Sequence, residues 1–176
     1  MPNNATGFLF QHSVEETQDK GLGVFAREPI KNGSVIWRHI SGVFLVYDEQ
    51  TFGAKIEQMQ SAEVVYELTH VHAFEEFPGC LIRALDGGAL INHTSDPNLT
   101  TRKSEVASLP LDVDSPRYLN DVADELFDDR YSLVAVRDIE IGEELAYDYT
   151  TDDNFPPYFD DLFEQYGLTE DYLDDD

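Results

Sequence analysis

The chain has 176 residues, enough for one domain with its own core and short for two. Hydrophobic residues make up 41% of it and aromatic residues 12%, so the heavy charge is a surface property and not a sign of general disorder. Thirty-six acidic residues against eleven basic ones leave a formal net charge of -25, which repels phosphate backbones and anionic membranes and argues against direct nucleic acid or membrane contact.

The same field attracts a basic protein or a lysine-rich peptide, and that attraction weakens as salt rises. Adaptation to high salt gives a similar composition, so both explanations of the acidity stay open. The lone Cys80 excludes an intrachain disulfide and a multi-cysteine zinc cluster, and a reducing interior suits it. No run approaches the roughly 20 apolar residues of a membrane span, and the first ten residues lack a basic segment followed by an apolar one. The expected setting is cytoplasmic, with the nucleus open for a eukaryotic or viral chain.

In chain order, Phe8-Leu9-Phe10 and Gly23-Val24-Phe25-Ala26 read as short strands separated by a polar stretch and a turn at Gly21 and Gly23. Pro29 to Gly33 signals a turn before the strand Ser34-Val35-Ile36-Trp37, and Val43 to Tyr47 reads as another strand. Phe52, Ile56, Met59, Val64 and Val65 fit a helix between Thr51 and Tyr66, with imperfect spacing. Val71 to Phe77 is ambiguous. Cys80 to Leu85 reads as a strand running into Asp86-Gly87-Gly88, and then comes Leu90-Ile91-Asn92-His93.

Residues 99–129 carry Pro110, Pro116 and many acids and read as a surface insertion with one short helix around Val122–Phe127. Tyr131 to Val136 alternates like a strand, and Asp138 to Gly142 supplies the next turn. Residues 150–176 hold ten Asp and Glu and no Lys or Arg, yet Tyr158, Leu162 and Tyr166 recur near helical spacing and suit a packed lid. The pattern favours a mainly β architecture with short helices over a βαβ repeat.

Three separated segments carry chemistry: Gly21-Leu22-Gly23-Val24-Phe25-Ala26, Ile91-Asn92-His93-Thr94-Ser95-Asp96-Pro97-Asn98, and Gly142-Glu143-Glu144-Leu145-Ala146-Tyr147-Asp148-Tyr149. In that order they resemble the signatures of the SET-domain family of protein lysine methyltransferases. The resemblance covers most of residues 7–149 and implies a β-clip fold in which a pseudoknot-like C-terminal segment completes the active site. Residues 150–176 then form an acidic, aromatic segment that covers substrate or cofactor.

The resemblance implies S-adenosylmethionine as the methyl donor, held against Gly21, Leu22 and Gly23 and against Asn92 and His93, with Trp37 lining the same site. Glycine backbone approaches a ligand without side-chain obstruction, and Asn and His offer directional donors and acceptors. The following Val24-Phe25-Ala26 departs from the dinucleotide fingerprint, and His93 lacks neighbours at metal-ligand spacing, so no metal is expected. By the same resemblance Tyr149 is the active-site tyrosine. Tyr147, standing where relatives carry tyrosine or phenylalanine, favours monomethylation. Alternation in Tyr147-Asp148-Tyr149 puts both tyrosines on one side of an extended segment.

Tyr147, Tyr149 and Tyr158 are the expected substrate contacts, and Glu144 supports the local fold or the cofactor pocket. Ala89-Leu90 stands where relatives often have Arg-Phe, and Thr94-Ser95 where they have Ser-Cys. The expected function is transfer of methyl groups to a lysine of a basic protein. The alternative is a non-catalytic module of the same fold that binds basic peptides, and the residues leave the oligomeric state open.

Overall fold

The structure, a computed structural model, describes residues 6–38, 40, 42–73, 79–103, 131–152 and 155–168. Ten strands are present among them: β1 (His12–Glu16), β2 (Leu22–Ala26), β3 (Val35–Arg38), β4 (Phe44–Tyr47), β5 (Val71–His72), β6 (Leu81–Ala84), β7 (Asn92–His93), β8 (Leu99–Lys103), β9 (Tyr131–Ala135) and β10 (Glu144–Tyr147). The helices are α1 (Glu49–Ile56), α2 (Ser61–Leu68) and α3 (Pro157–Gln165), with 3-10 turns at Gly87–Leu90 and Tyr149–Asp152. This is the mixed-β arrangement with short helices expected of a β-clip fold. The short helix expected around Val122–Phe127 lies outside the described residues.

One sheet runs β1-β2-β10-β8-β9-β3 with β7 beside β10, and a smaller one runs β4-β6-β5. The last strand is laid down among much earlier ones. β10 is antiparallel to β2, with Glu144 opposite Phe25, and parallel to β7, with Ala146 opposite Asn92 and Tyr147 opposite His93. It also pairs parallel to β8 through Tyr147 and Leu99. The loop between β7 and β8 clasps it, since the Thr94 and Asn98 amides donate to the Tyr147 and Ala146 carbonyls, each at 3.2 Å.

Two apolar clusters divide the interior, and β6 is the wall between them. All four β6 residues are buried, and alternation sends Ile82 into the first cluster with Val24, Ile36, Trp37, Ile91, Leu99, Leu145 and Tyr147. Leu81 points the other way, to Phe52, Ile56, Val64, Leu68, Val71 and Phe159. The same rule acts on β5: Val71 enters the second cluster, so the next residue, His72, faces the opposite side.

Where one helix was expected, two form. Asp48 caps α1, accepting the Thr51 amide at 2.7 Å while the Thr51 hydroxyl accepts the Asp48 amide at 3.0 Å. A second start follows at Gln60, whose amide donates to Glu63 at 2.8 Å, so the chain breaks and restarts between Ile56 and Ser61. The polar run before Gly21 is itself strand β1. It escapes hydrophobic patterning because its last three residues are exposed. Of Phe8-Leu9-Phe10 only Phe8 bridges, to Trp37.

Glu67 ties the helical region to β6. It pairs with Lys55 and lies 3.6 Å from Arg83, with all three side chains at most 22% exposed. Arg83 in turn donates to the His70 carbonyl at 3.3 Å, bracing the approach to β5.

Candidate active site

Gly21 and Gly23 serve one turn for different reasons. Gly21 has a φ of +74°, a left-handed conformation that costs other residues about 1 kcal/mol, and a Cβ there would meet nothing within 4 Å. A Cβ on Gly23 would stand 2.5 Å from Glu144 Oε1, 2.7 Å from Thr17 Cγ2 and 3.1 Å from Asn92 Nδ2. Gly23 therefore lets β2, β7 and β10 close on one another. Between the two glycines Leu22 is half exposed, an apolar surface at the mouth of the turn.

Asn92 spans this junction. Its Nδ2 donates to Glu144 Oε1 at 2.7 Å and to the Leu22 carbonyl at 3.2 Å. Its Oδ1 is uncommitted among the described residues. Glu144 thereby orients Asn92, the supporting position expected for it. Asn98, quoted in the motif without a role, is 3% exposed and locks the same strand. Its Nδ2 donates to the Glu144 carbonyl at 2.6 Å, and its Oδ1 accepts the Ala146 amide at 3.0 Å.

His93 Nδ1 accepts the Tyr149 amide at 3.1 Å, which puts the hydrogen of the neutral ring on Nε2. The His93 carbonyl accepts Lys20 Nζ at 2.9 Å, bringing a cation to this edge. Asp148 Oδ1 lies 3.8 Å from His93 Nδ1, and hydrogen bonds from Thr150 hold the Asp148 carboxyl below the usual range. Asp148 is thus committed to the turn that carries Tyr149.

The two tyrosines do share a side. Their ring centroids are 4.7 Å apart at 52°, and Tyr149 also lies 5.5 Å from the His93 ring. Tyr147 is 5% exposed. The Tyr149 hydroxyl donates to the Ile91 carbonyl, so the residue before Asn92 fixes the phenol directly. Burial raises the Tyr149 phenol well above its ordinary range, and the Glu144 charge adds to this. The group stays protonated at neutral pH and cannot serve as a phenolate base.

His72 completes the aromatic group and was not among the residues singled out in the sequence. Its Nδ1 is 3.2 Å from the Tyr147 hydroxyl oxygen, and its ring meets Tyr149 edge-on at 5.3 Å and 90°. The available signal was the alternation Val71-His72-Ala73, too short to assign alone.

Two expected residues are committed to packing. Trp37 is 2% exposed in the first cluster, and its Nε1 donates to Asp86 Oδ2 at 3.0 Å. Gly7 and Gly88 pack directly on that indole, where a Cβ would come within 2.5 and 2.9 Å of Nε1. Tyr158 packs against the second cluster, away from the tyrosine pair's cluster, and its hydroxyl is buried without a partner among the described residues. An open depression of about 630 Å³ over α1, lined by Asp48, Glu49, Gln50, Gly53, Ala54 and Glu57, contains none of the motif residues. Among the described residues no group of three or more His, Cys, Asp or Glu side chains is placed to hold a metal, and no helix is long and apolar enough to cross a membrane.

The family model described as the SET domain matches residues 21–150. The chain belongs to the SET-domain family. This SET domain is 23% identical over 146 residues to the variant-silencing SET domain-containing protein of Plasmodium falciparum (isolate 3D7), covering 81% of this chain and 5% of that protein. Among solved structures, ctPRC2 in an autoinhibited conformation bound to S-adenosylmethionine is 20% identical with a TM-score of 0.57, covering 92% of this chain and 17% of that one. Two structures of KRYPTONITE, one with mCHG DNA and SAH and one with mCHH DNA, an H3(1-15) peptide and SAH, are 20% and 22% identical. Both have a TM-score of 0.49 and cover 81% of this chain and 24% of that one. The chain thus spans a small part of the length of each.

Two expectations, the exclusion of direct nucleic-acid contact and the cytoplasmic placement, are withdrawn. The KRYPTONITE structures hold DNA, a partner outside those expected here from charge. The physical reason is that a net charge describes these 176 residues alone. It limits how their own surface meets a polyanion, and not which assembly they work in.

Proposed function

We propose that this SET domain transfers methyl groups from S-adenosylmethionine to a lysine side chain of a basic protein, and that it favours monomethylation. What carries the reading is the direct contact of the three motif segments: Asn92 bonded to Leu22 and Glu144, and Tyr149 bonded to Ile91 and His93.

The residues suit the donor. The half-exposed Leu22 offers apolar surface, Asn92 Oδ1 an acceptor, His93 Nε2–H a donor, and Lys20 a cation for a carboxylate. When bound, S-adenosylmethionine supplies an electrophilic methyl group on a sulfonium. The relative ctPRC2 binds that molecule, in keeping with this assignment.

A lysine amine near pKa 10.4 must lose its proton before it can attack, and an apolar lining favours the neutral form. Tyr147 and Tyr149 form such a lining while keeping two hydroxyl oxygens within it. With its own proton committed to Ile91, the Tyr149 oxygen presents lone pairs to an incoming N–H and aims the amine. Orientation of this kind supplies much of the rate in a direct displacement. The Tyr147 hydroxyl takes up space and polar contacts that a methylated amine would need, which favours a single transfer.

Calorimetric titration with S-adenosylmethionine, followed by incubation with a panel of basic proteins and mass analysis, tests the reading. Donor binding with single methyl additions to lysine supports it. Peptide binding without donor affinity would instead identify a non-catalytic recognition module.

A further inference from the structure

We propose that His72 is a positioning residue that anchors the Tyr147 hydroxyl and thereby sets how many methyl groups the site admits. The proposal rests on the methyltransferase reading above and adds a residue to it. Three observations lead to it. The His72 Nδ1 and the Tyr147 hydroxyl are 3.2 Å apart, a hydrogen bond between residues 75 positions apart in the chain. The His72 ring closes on Tyr149 edge-on, so one imidazole touches both site tyrosines. Strand alternation in β5, with Val71 fixed in the second cluster, leaves His72 no other face to occupy.

The charged and titratable groups around His72 are His70 and Arg83 on its sheet side and Tyr147 and Tyr149 on the site side. Burial above all, then His70 and Arg83, push the imidazole down to about 4, so it is neutral at pH 7. With its hydrogen on Nε2, the neutral ring accepts the Tyr147 proton at Nδ1 and fixes the direction of that O–H bond. The remaining lone pairs of the phenol oxygen then face the amine. Loss of this acceptor changes the direction of the O–H bond and weakens the polar contact that disfavours a methylated amine.

The test uses five proteins: wild type, His72→Phe, His72→Asn, Tyr147→Phe and the double variant that combines His72→Phe with Tyr147→Phe. Each is assayed with labelled S-adenosylmethionine and a basic protein substrate, and the product is read by mass. His72→Phe keeps the ring and removes the acceptor, so the ratio of multiply to singly methylated product should rise about fivefold, the factor that one neutral hydrogen bond represents. His72→Asn places an amide group near the Nδ1 position and should restore the wild-type ratio. Combining His72→Phe with Tyr147→Phe should add nothing to Tyr147→Phe alone. An unchanged ratio in His72→Phe, or an additive double variant, overturns the proposal.

Nitrogen-15 NMR of labelled histidine decides independently of turnover. The His72 Nδ1 resonance of the wild type at pH 7 should be that of a neutral ring and should shift in Tyr147→Phe. A wild type that transfers no methyl defeats the methyltransferase reading, while an unmoved Nδ1 resonance defeats the anchor itself.

Discussion

Asn92 and Glu144, 52 residues apart in the chain, are joined by a 2.7 Å hydrogen bond across the parallel pairing of β7 and β10. The bond explains why the motif segments must be read together. Asn92 is held with its amide nitrogen on Leu22 and Glu144, and that orientation depends on a carboxylate supplied by the last strand. Gly23 leaves the space in which the pair meets.

Gly23→Ala therefore tests the junction. Its Cβ would collide with the Glu144 carboxylate and Thr17, and overpacking of this kind costs about 1–3 kcal/mol. Denaturant unfolding should show that loss, together with weakened donor binding. Gly21→Ala meets no neighbour and pays only for its left-handed backbone, about 1 kcal/mol. Equal losses in the two variants would contradict the packing role of Gly23.

Tyr147→Phe should keep the fold, because the ring and its packing remain, and should move the product toward two and three methyl groups. Mass analysis of a lysine substrate reads this directly. Predominantly trimethylated product from the wild type would remove Tyr147 as the determinant of a single transfer.

Acid stability has a calculable direction. Burial holds the folded His72 imidazole at about 4, below its ordinary value of 6.5, so between those pH values the unfolded chain binds more protons than the folded one. Stability due to this group is complete above pH 6.5 and falls as pH drops toward 4, by at most about 3 kcal/mol. His70, lowered mainly by burial, acts in the same direction. Urea unfolding between pH 7 and pH 4 should show the loss, and His72→Asn should flatten it. An equal slope in that variant would assign the acid sensitivity to other groups.

The C-terminal helix makes a separate claim on stability. Phe159 is 4% exposed and stacks on Phe155 at 4.4 Å, closing the second cluster from outside. Phe159→Ala should cost about 3–5 kcal/mol in thermal or chemical unfolding. A loss below 1 kcal/mol would mean that α3 merely rests on the surface.

Much of the site was legible because its residues recur as local strings: glycines at a turn, Asn-His, and alternating tyrosines. Strand positions followed where the chain alternates or runs apolar between turn signals, as in β2, β6 and β9. β1 was hidden because an exposed edge strand carries no hydrophobic pattern, and the break between α1 and α2 because capping by Asp48 and Gln60 outweighed a loose helical period. His72 was invisible for another reason. Its role comes from a tertiary contact to Tyr147, and a two-residue strand offers too little periodicity to place it. Trp37 and Tyr158 mislead in the opposite sense, since large aromatics are used for packing more often than sequence position reveals.

The most direct measurement is transfer of labelled methyl from S-adenosylmethionine to a basic protein by the wild type and by Tyr149→Phe, with folding of both verified by circular dichroism. Lysine methylation by the wild type and a loss of about 100-fold or more in the variant are expected, the scale of removing an orienting group at the reacting centre. Equal transfer by the two folded proteins, or none by the wild type with any basic substrate, would contradict this expectation.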